Sequence, residues 1–165
     1  MFGLEESVGR PGAPAGTQIA PLTRRVGGFV LDQLIVVVPV VLGALAFGFE
    51  PGDKISNDAV FGLSTATIVL GIVYHTLMIG FLGRTVGKMA AGTKVVNAVD
   101  GERVGWTGAS MRALVPLAAG AIPQVGFALS IGVYAVALLS PLRQGLHDRA
   151  AGTLVVLSAT FVPPS

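Results

Sequence analysis

Long apolar runs alternate with short polar connections along this chain. Between Val26 and Phe49 the only charged residue is Asp32, and Ala59 to Leu82 and Ala113 to Leu139 carry no Asp, Glu, Lys or Arg. A helix needs ~20 apolar residues to cross the hydrocarbon core. The first two runs therefore read as crossing helices, joined by residues 50–58 into an antiparallel hairpin. The third holds Pro116, Pro123, Gln124 and Gly126. It is too short for two full crossings, which need ~40 residues, but fits one kinked helix or two half-helices meeting near Pro123. Apolar β-branched runs flank Asp100-Gly101, a short-range hairpin signal. The pattern predicts an all-α membrane protein. It has a transmembrane helical hairpin (about 26–49 and 59–82) and a third kinked or re-entrant apolar segment (about 113–139). A small cytoplasmic β-hairpin or strand cap covers about 93–106 and 153–157. This membrane domain, 24–158, lies between a flexible N-terminal tail, 1–23, and a C-terminal tail, 159–165.

Asp32 sharpens the picture. An aspartate at the centre of a membrane helix costs roughly 2.5–3.5 kcal/mol on insertion scales, so it usually faces protein or water and has a partner. Arg25 stands two helical turns earlier on the same face, about 10 Å away along the axis. The stripe Arg25, Gly28, Asp32, Pro39 is matched in the second span by Ser64, Thr67, Gly71, Tyr74 and His75. The two spans are expected to face each other along these stripes. A cleaved signal peptide is the rival reading of the first run. Its length, its aspartate and the further spans argue against that.

A repeat bears on the third segment. Ala90-Ala91-Gly92-Thr93-Lys94-Val95-Val96 recurs, with six of seven residues identical, as Ala150-Ala151-Gly152-Thr153-Leu154-Val155-Val156. Two Gly-Thr turns would feed two short strands, and Lys88 corresponds to Asp148. If the third segment turns back, ten of the 11 Lys and Arg lie on one side, with only Lys54 opposite. That charge bias favours both termini in the cytoplasm.

Composition excludes more than it selects. Charged residues make up 12% of the chain, half the share of a soluble domain, and the net charge of +2 gives no reason to expect nucleic-acid binding. The absence of cysteine removes thiolate nucleophiles, thiolate metal ligands and disulfides. Two histidines far apart make no metal site. His147-Asp148 has no serine or cysteine nucleophile with a recognisable elbow. No enzyme activity, cofactor or metal is expected.

Arg25, Asp32, Gly87-Lys88, the Val95–Gly101 turn, Arg112 and Leu146-His147-Asp148-Arg149-Ala150-Ala151-Gly152-Thr153 together resemble the RDD family of small bacterial membrane proteins, over about residues 22–157. The resemblance makes Arg25, Asp32 and Asp148 the three name-giving positions. It implies a polytopic protein of the bacterial inner membrane without typical enzyme activity, for which ligand transport, including cation/proton exchange, has been suggested. The Gly27-Gly28 pair departs from the small aliphatic residue common there.

Two groups of residues are candidates. Arg25, Asp32 and His75 could form an intramembrane ion pair or a proton or cation site. Lys88, Arg112, His147 and Asp148 could form an interfacial polar network. Either group could instead be a fixed staple between helices. Expected partners are anionic lipid headgroups, met by Arg84, Lys88, Arg103, Arg112, Arg143 and Arg149, and other membrane subunits or further copies. The leading expectation is a non-enzymatic accessory or assembly subunit of a larger complex. The alternative is an oligomeric transporter of a cation, proton or small solute through Asp32.

Overall fold

The computed structural model describes residues 12–50, 54, 56–120 and 126–158. Helix α1 spans Leu22–Ala46 and α2 Asn57–Leu82. Both are long and apolar enough to cross a membrane. At 1.5 Å per residue they reach roughly 37–39 Å, against a hydrocarbon core of ~30 Å. Helix α1 begins before the predicted limit, with Pro21 at its N-cap, which brings Arg24 and Arg25 inside the first turns. Ser56 caps α2 by accepting from the Ala59 N–H at 3.2 Å, and Gly83 ends it with a left-handed φ of 67°.

The hairpin is followed by a short helix, α3 (Val86–Ala90), and a strand, β1 (Thr93–Asn97). The third apolar region is two helices, α4 (Trp106–Gly120) and α5 (Gly126–Leu139), then a short helix, α6 (Leu146–Ala150), and a strand, β2 (Thr153–Leu157). The break expected near Pro123 and Gln124 lies outside the described residues. Helices α4 and α5 pack on each other, and both meet α6. Arg112, in the first half of α4, and Tyr134, in the second half of α5, touch neighbouring residues of α6. The pair thus leaves the β ribbon and comes back to it. With 15 and 14 residues, each helix reaches only about 22 Å, less than the hydrocarbon core.

Strands β1 and β2 pair antiparallel, with Val95 opposite Val155. These two residues are equivalents in the sequence repeat, so the register places a local two-fold axis between them. The symmetry extends well beyond the strands. Ile19, three residues before α1, bridges to Val156, and Arg103, three residues before α4, bridges to the equivalent Val96. The Thr93 hydroxyl donates to the Lys88 carbonyl and that of Thr153 to the Asp148 carbonyl, both at 3.3 Å. Tyr74 and Tyr134, the two tyrosines of the chain, fall at matching positions. Each half is a short extended lead-in, a helical hairpin, a short helix and a strand, and the second hairpin is the shorter.

Two sequence expectations change. The hairpin across Asp100-Gly101 contracts to one bridge, Val96 to Arg103, and two backbone bonds, the Asn97 N–H to the Glu102 carbonyl and the Gly101 N–H to the Asn97 carbonyl. The chain turns into α4 at Trp106, and β1 takes β2 as its main partner. Residues 17–20, expected in a flexible tail, are buried, because Ile19 and Ala20 are apolar and the Gln18 carbonyl accepts from the Leu157 N–H at 2.8 Å. One face of the ribbon joins Val95 and Val155 to Ala20, Ile79, Val104 and Ala109; the other packs Val96, Leu154 and Val156 against Ala13, Ala98 and Leu142. Trp106 seats on Gly80, where a Cβ would lie 2.5 Å from the indole, and meets Phe81 edge-on at 4.8 Å. This ties α4 to the ribbon end of α2.

Candidate functional site

Asp32 is fully buried. A desolvated carboxylate needs donors on both oxygens. Oδ1 accepts from the Tyr74 hydroxyl and from the Gly87 N–H, both at 2.8 Å. Oδ2 accepts from the Thr85 hydroxyl at 2.5 Å and pairs with the Lys88 Nζ at 3.4 Å. The Tyr74 oxygen in turn accepts from the Val86 N–H at 3.0 Å. Helix α3 and its cap supply three of these donors, from Thr85, Gly87 and Lys88. Thr85 caps it, and Gly87 allows α1 and α3 to touch backbone to backbone: a Cβ on Gly87 would lie 2.0 Å from the Gly28 carbonyl oxygen. Gly28 and Asp32, one turn apart on α1, form the receiving face.

The second half holds a matching clamp of opposite polarity. Asp148, equivalent to Lys88, is buried in α6 and forms an ion pair with Arg112 of α4. Arg112 also donates to the Thr153 hydroxyl at 2.6 Å. The other carboxylate oxygen accepts from the Gly145 N–H at 3.0 Å, capping α6, and lies 3.5 Å from Arg25 Nη1. Burial alone would raise the Asp148 pKa, but Arg112, Arg25 and the Gly145 N–H outweigh it and hold the carboxyl below its usual range. Burial pushes the neighbouring His147 imidazole down to about 4, with Asp148 opposing and Arg112 assisting. Its ring packs on Tyr134 at 4.6 Å between centroids, and Tyr134 also meets Phe29 of α1.

The candidates are therefore regrouped. Arg25 and Asp32, expected as a pair, are separated. Helical side chains lean towards the N-terminus, so Arg25 reaches away from Asp32. Its guanidinium donates to the Val155 carbonyl at 2.9 Å and to the Arg143 carbonyl, and pairs with Asp148. Lys88, grouped with Asp148 in the expected interfacial network, takes Asp32 instead, with Asp148 and Arg112 within electrostatic range. Burial pushes the Lys88 ammonium below its ordinary range, with Asp32 pulling the other way. His75 packs edge-on against Tyr74 and lies within electrostatic range of Lys88, Asp32 and Arg112. The facing stripes hold at the ribbon end, where Gly71 lies against Val36 and Tyr74 reaches Asp32, while Ser64 is exposed. Thr85, Gly87, Gly145 and Thr153 join the site without being among the candidates. The signal for Thr85 is its capping spacing, three residues before Lys88. Among the described residues no group of three His, Cys, Asp or Glu could hold a metal ion.

The fold and its two clamps define a class: a small helical membrane protein built of two related halves, with buried ion pairs pinning each short helix to the first helix of its own hairpin. Within that class the chain belongs to the RDD family, whose model matches residues 19–152. It is 31% identical over 134 residues to the uncharacterized membrane protein YteJ of Bacillus subtilis (strain 168), covering 80% of this chain and 77% of that protein. No solved structure matches it.

Proposed function

We propose that this chain is a non-enzymatic accessory or assembly subunit of the bacterial cell membrane, docking its apolar helices on those of a larger complex. The closure of Asp32 carries this reading. Both of its oxygens are engaged and none of its surface is open. A carboxylate that loads and releases an ion needs access and a vacant lone pair; this one is built as a fixed joint. Among the described residues α1 buries only Gly28, Asp32 and Val36, and α2 only Ile79, so most of both long helices is left to lipid or other helices.

The same reading places the β ribbon and both termini in the cytoplasm, with α1 and α2 crossing the bilayer and α4–α5 dipping in and returning. The bias of Lys and Arg towards the ribbon side and the short reach of α4 and α5 support it. Labelling of Ser165→Cys from outside intact cells should fail.

Native mass spectrometry of the tagged protein, extracted gently from its own membrane, tests the proposal. Stoichiometric foreign subunits are expected. A clean homo-oligomer, together with a cation- or pH-dependent flux in liposomes that Asp32→Asn abolishes without unfolding, would overturn it in favour of transport.

A further inference from the structure

Arg143 is the only non-glycine residue with positive φ among those described, at 52°. Its equivalent in the first half is Gly83, which takes the same left-handed backbone at 67° without steric penalty. The turn after each hairpin needs this conformation, and the second half meets the need with an arginine. A bulky residue held there points to a use for its side chain.

The surroundings suggest the use. Arg112 and Arg143 both lie within electrostatic range of Arg25, and Asp148 pairs with Arg25 and Arg112. The cluster is short of negative charge. The Nε–H of Arg25 is buried and finds no acceptor among the described residues. The Arg143 side chain is half-buried, just beyond the end of α5 and beside the start of α1, through the Arg25 bond to its carbonyl. At the ends of membrane-level helices, the available anion is the phosphate of a lipid headgroup, and guanidinium forks match phosphate oxygens.

We propose that Arg143, backed by Arg25, forms a binding site for the phosphate of an anionic membrane lipid where the second hairpin meets the headgroup layer. The site rests on the cytoplasmic placement of the ribbon proposed above, and not on which subunits the apolar helices meet.

The test uses the full chain in phosphatidylcholine nanodiscs with increasing phosphatidylglycerol, and native mass spectrometry to count retained phosphatidylglycerol. Arg143→Gly suits the backbone, so it should fold and keep or raise its melting temperature in pure phosphatidylcholine. It should lose retained phosphatidylglycerol more than fivefold, beyond the roughly fivefold that diffuse attraction of one basic residue to an anionic surface supplies. Arg149→Gln, at an exposed position of α6, should lose little. Equal retention by wild type and Arg143→Gly would overturn the site. So would an equal loss in Arg149→Gln, which would mean diffuse surface attraction, and so would displacement of the lipid by excess inorganic phosphate, which would assign the cluster to a free anion.

Discussion

Replacing Asp32 by Asn tests the clamp most directly, because it keeps the shape and removes the charge. In the native protein four donors converge on two oxygens. An asparagine offers one oxygen and one NH2. With the oxygen kept towards Tyr74 and Gly87, the amide meets the Thr85 hydroxyl and the Lys88 ammonium. Thr85 can rotate and accept; Lys88, with its side chain only 14% exposed, cannot. Breaking a buried pair by removing one partner costs about 3–5 kcal/mol, mostly from the charge left behind. Lys88→Met should cost a similar amount by stranding Asp32, softened by its three other donors. The double variant Asp32→Asn/Lys88→Met strands no charge, so it should be less destabilised than the sum of the singles, with a coupling of about 2 kcal/mol. Unfolding in mixed detergent micelles, followed by tryptophan fluorescence, measures all four proteins. The single Trp106 seats on α2 at Gly80, so it reports on helix packing near the clamp. If Asp32→Asn unfolds like wild type and the cycle shows no coupling, the fixed-joint reading is wrong.

Gly87→Ala should be as damaging as losing the ion pair. The added methyl would meet the Gly28 carbonyl oxygen at 2.0 Å and Asp32 Oδ1 at 2.7 Å, so α3 must move off α1, and a melting temperature within error of wild type would contradict the contact. The protein should also lose stability on acidification. His147 takes up a proton near its ordinary 6.5 when unfolded but only at about 4 when folded, so the unfolded state binds more protons in between and stability falls as pH drops through that window, by at most about 3 kcal/mol. Asp148, held below its usual range, adds to the loss at lower pH still. A His147→Gln variant should flatten the melting-temperature profile between pH 6.5 and 4, and an already flat wild-type profile would count against a buried neutral His147.

The hairpin of long helices was legible from hydropathy alone, because a membrane span needs only length and the absence of charge. The two short strands were legible too, because the repeat marks both of them and their turns. The partners of the charges were not. Helical spacing puts Arg25 and Asp32 on one face, but two turns separate them, and a side chain can reach across to another element more easily than along its own helix. What fixes Asp32 is α3, a five-residue helix too short to show a period. The ordered stretch at 17–20 was hidden for a similar reason: it pairs by backbone bonds with a strand far away in sequence, and a Pro- and Gly-rich surrounding reads as a tail.

The polarity of the two clamps follows from the duplication. Each short helix is pinned to the first helix of its own hairpin, α3 to α1 by Lys88 and Asp32, α6 to α4 by Asp148 and Arg112. With the same charge order in both halves, either short helix would satisfy either hairpin, and the repeated strands would give the register little to choose between. Inverting one pair removes that freedom. Cross-docking would set Asp32 against Asp148 and Lys88 against Arg112, burying like charges where solvent cannot screen them. Arg25 is the exception that joins the halves: it stands on α1 yet binds Asp148 and the β2 carbonyl of Val155, adding a cation where α6 already favours one. The five charges are thus arranged so that one docking of the two hairpins satisfies all of them.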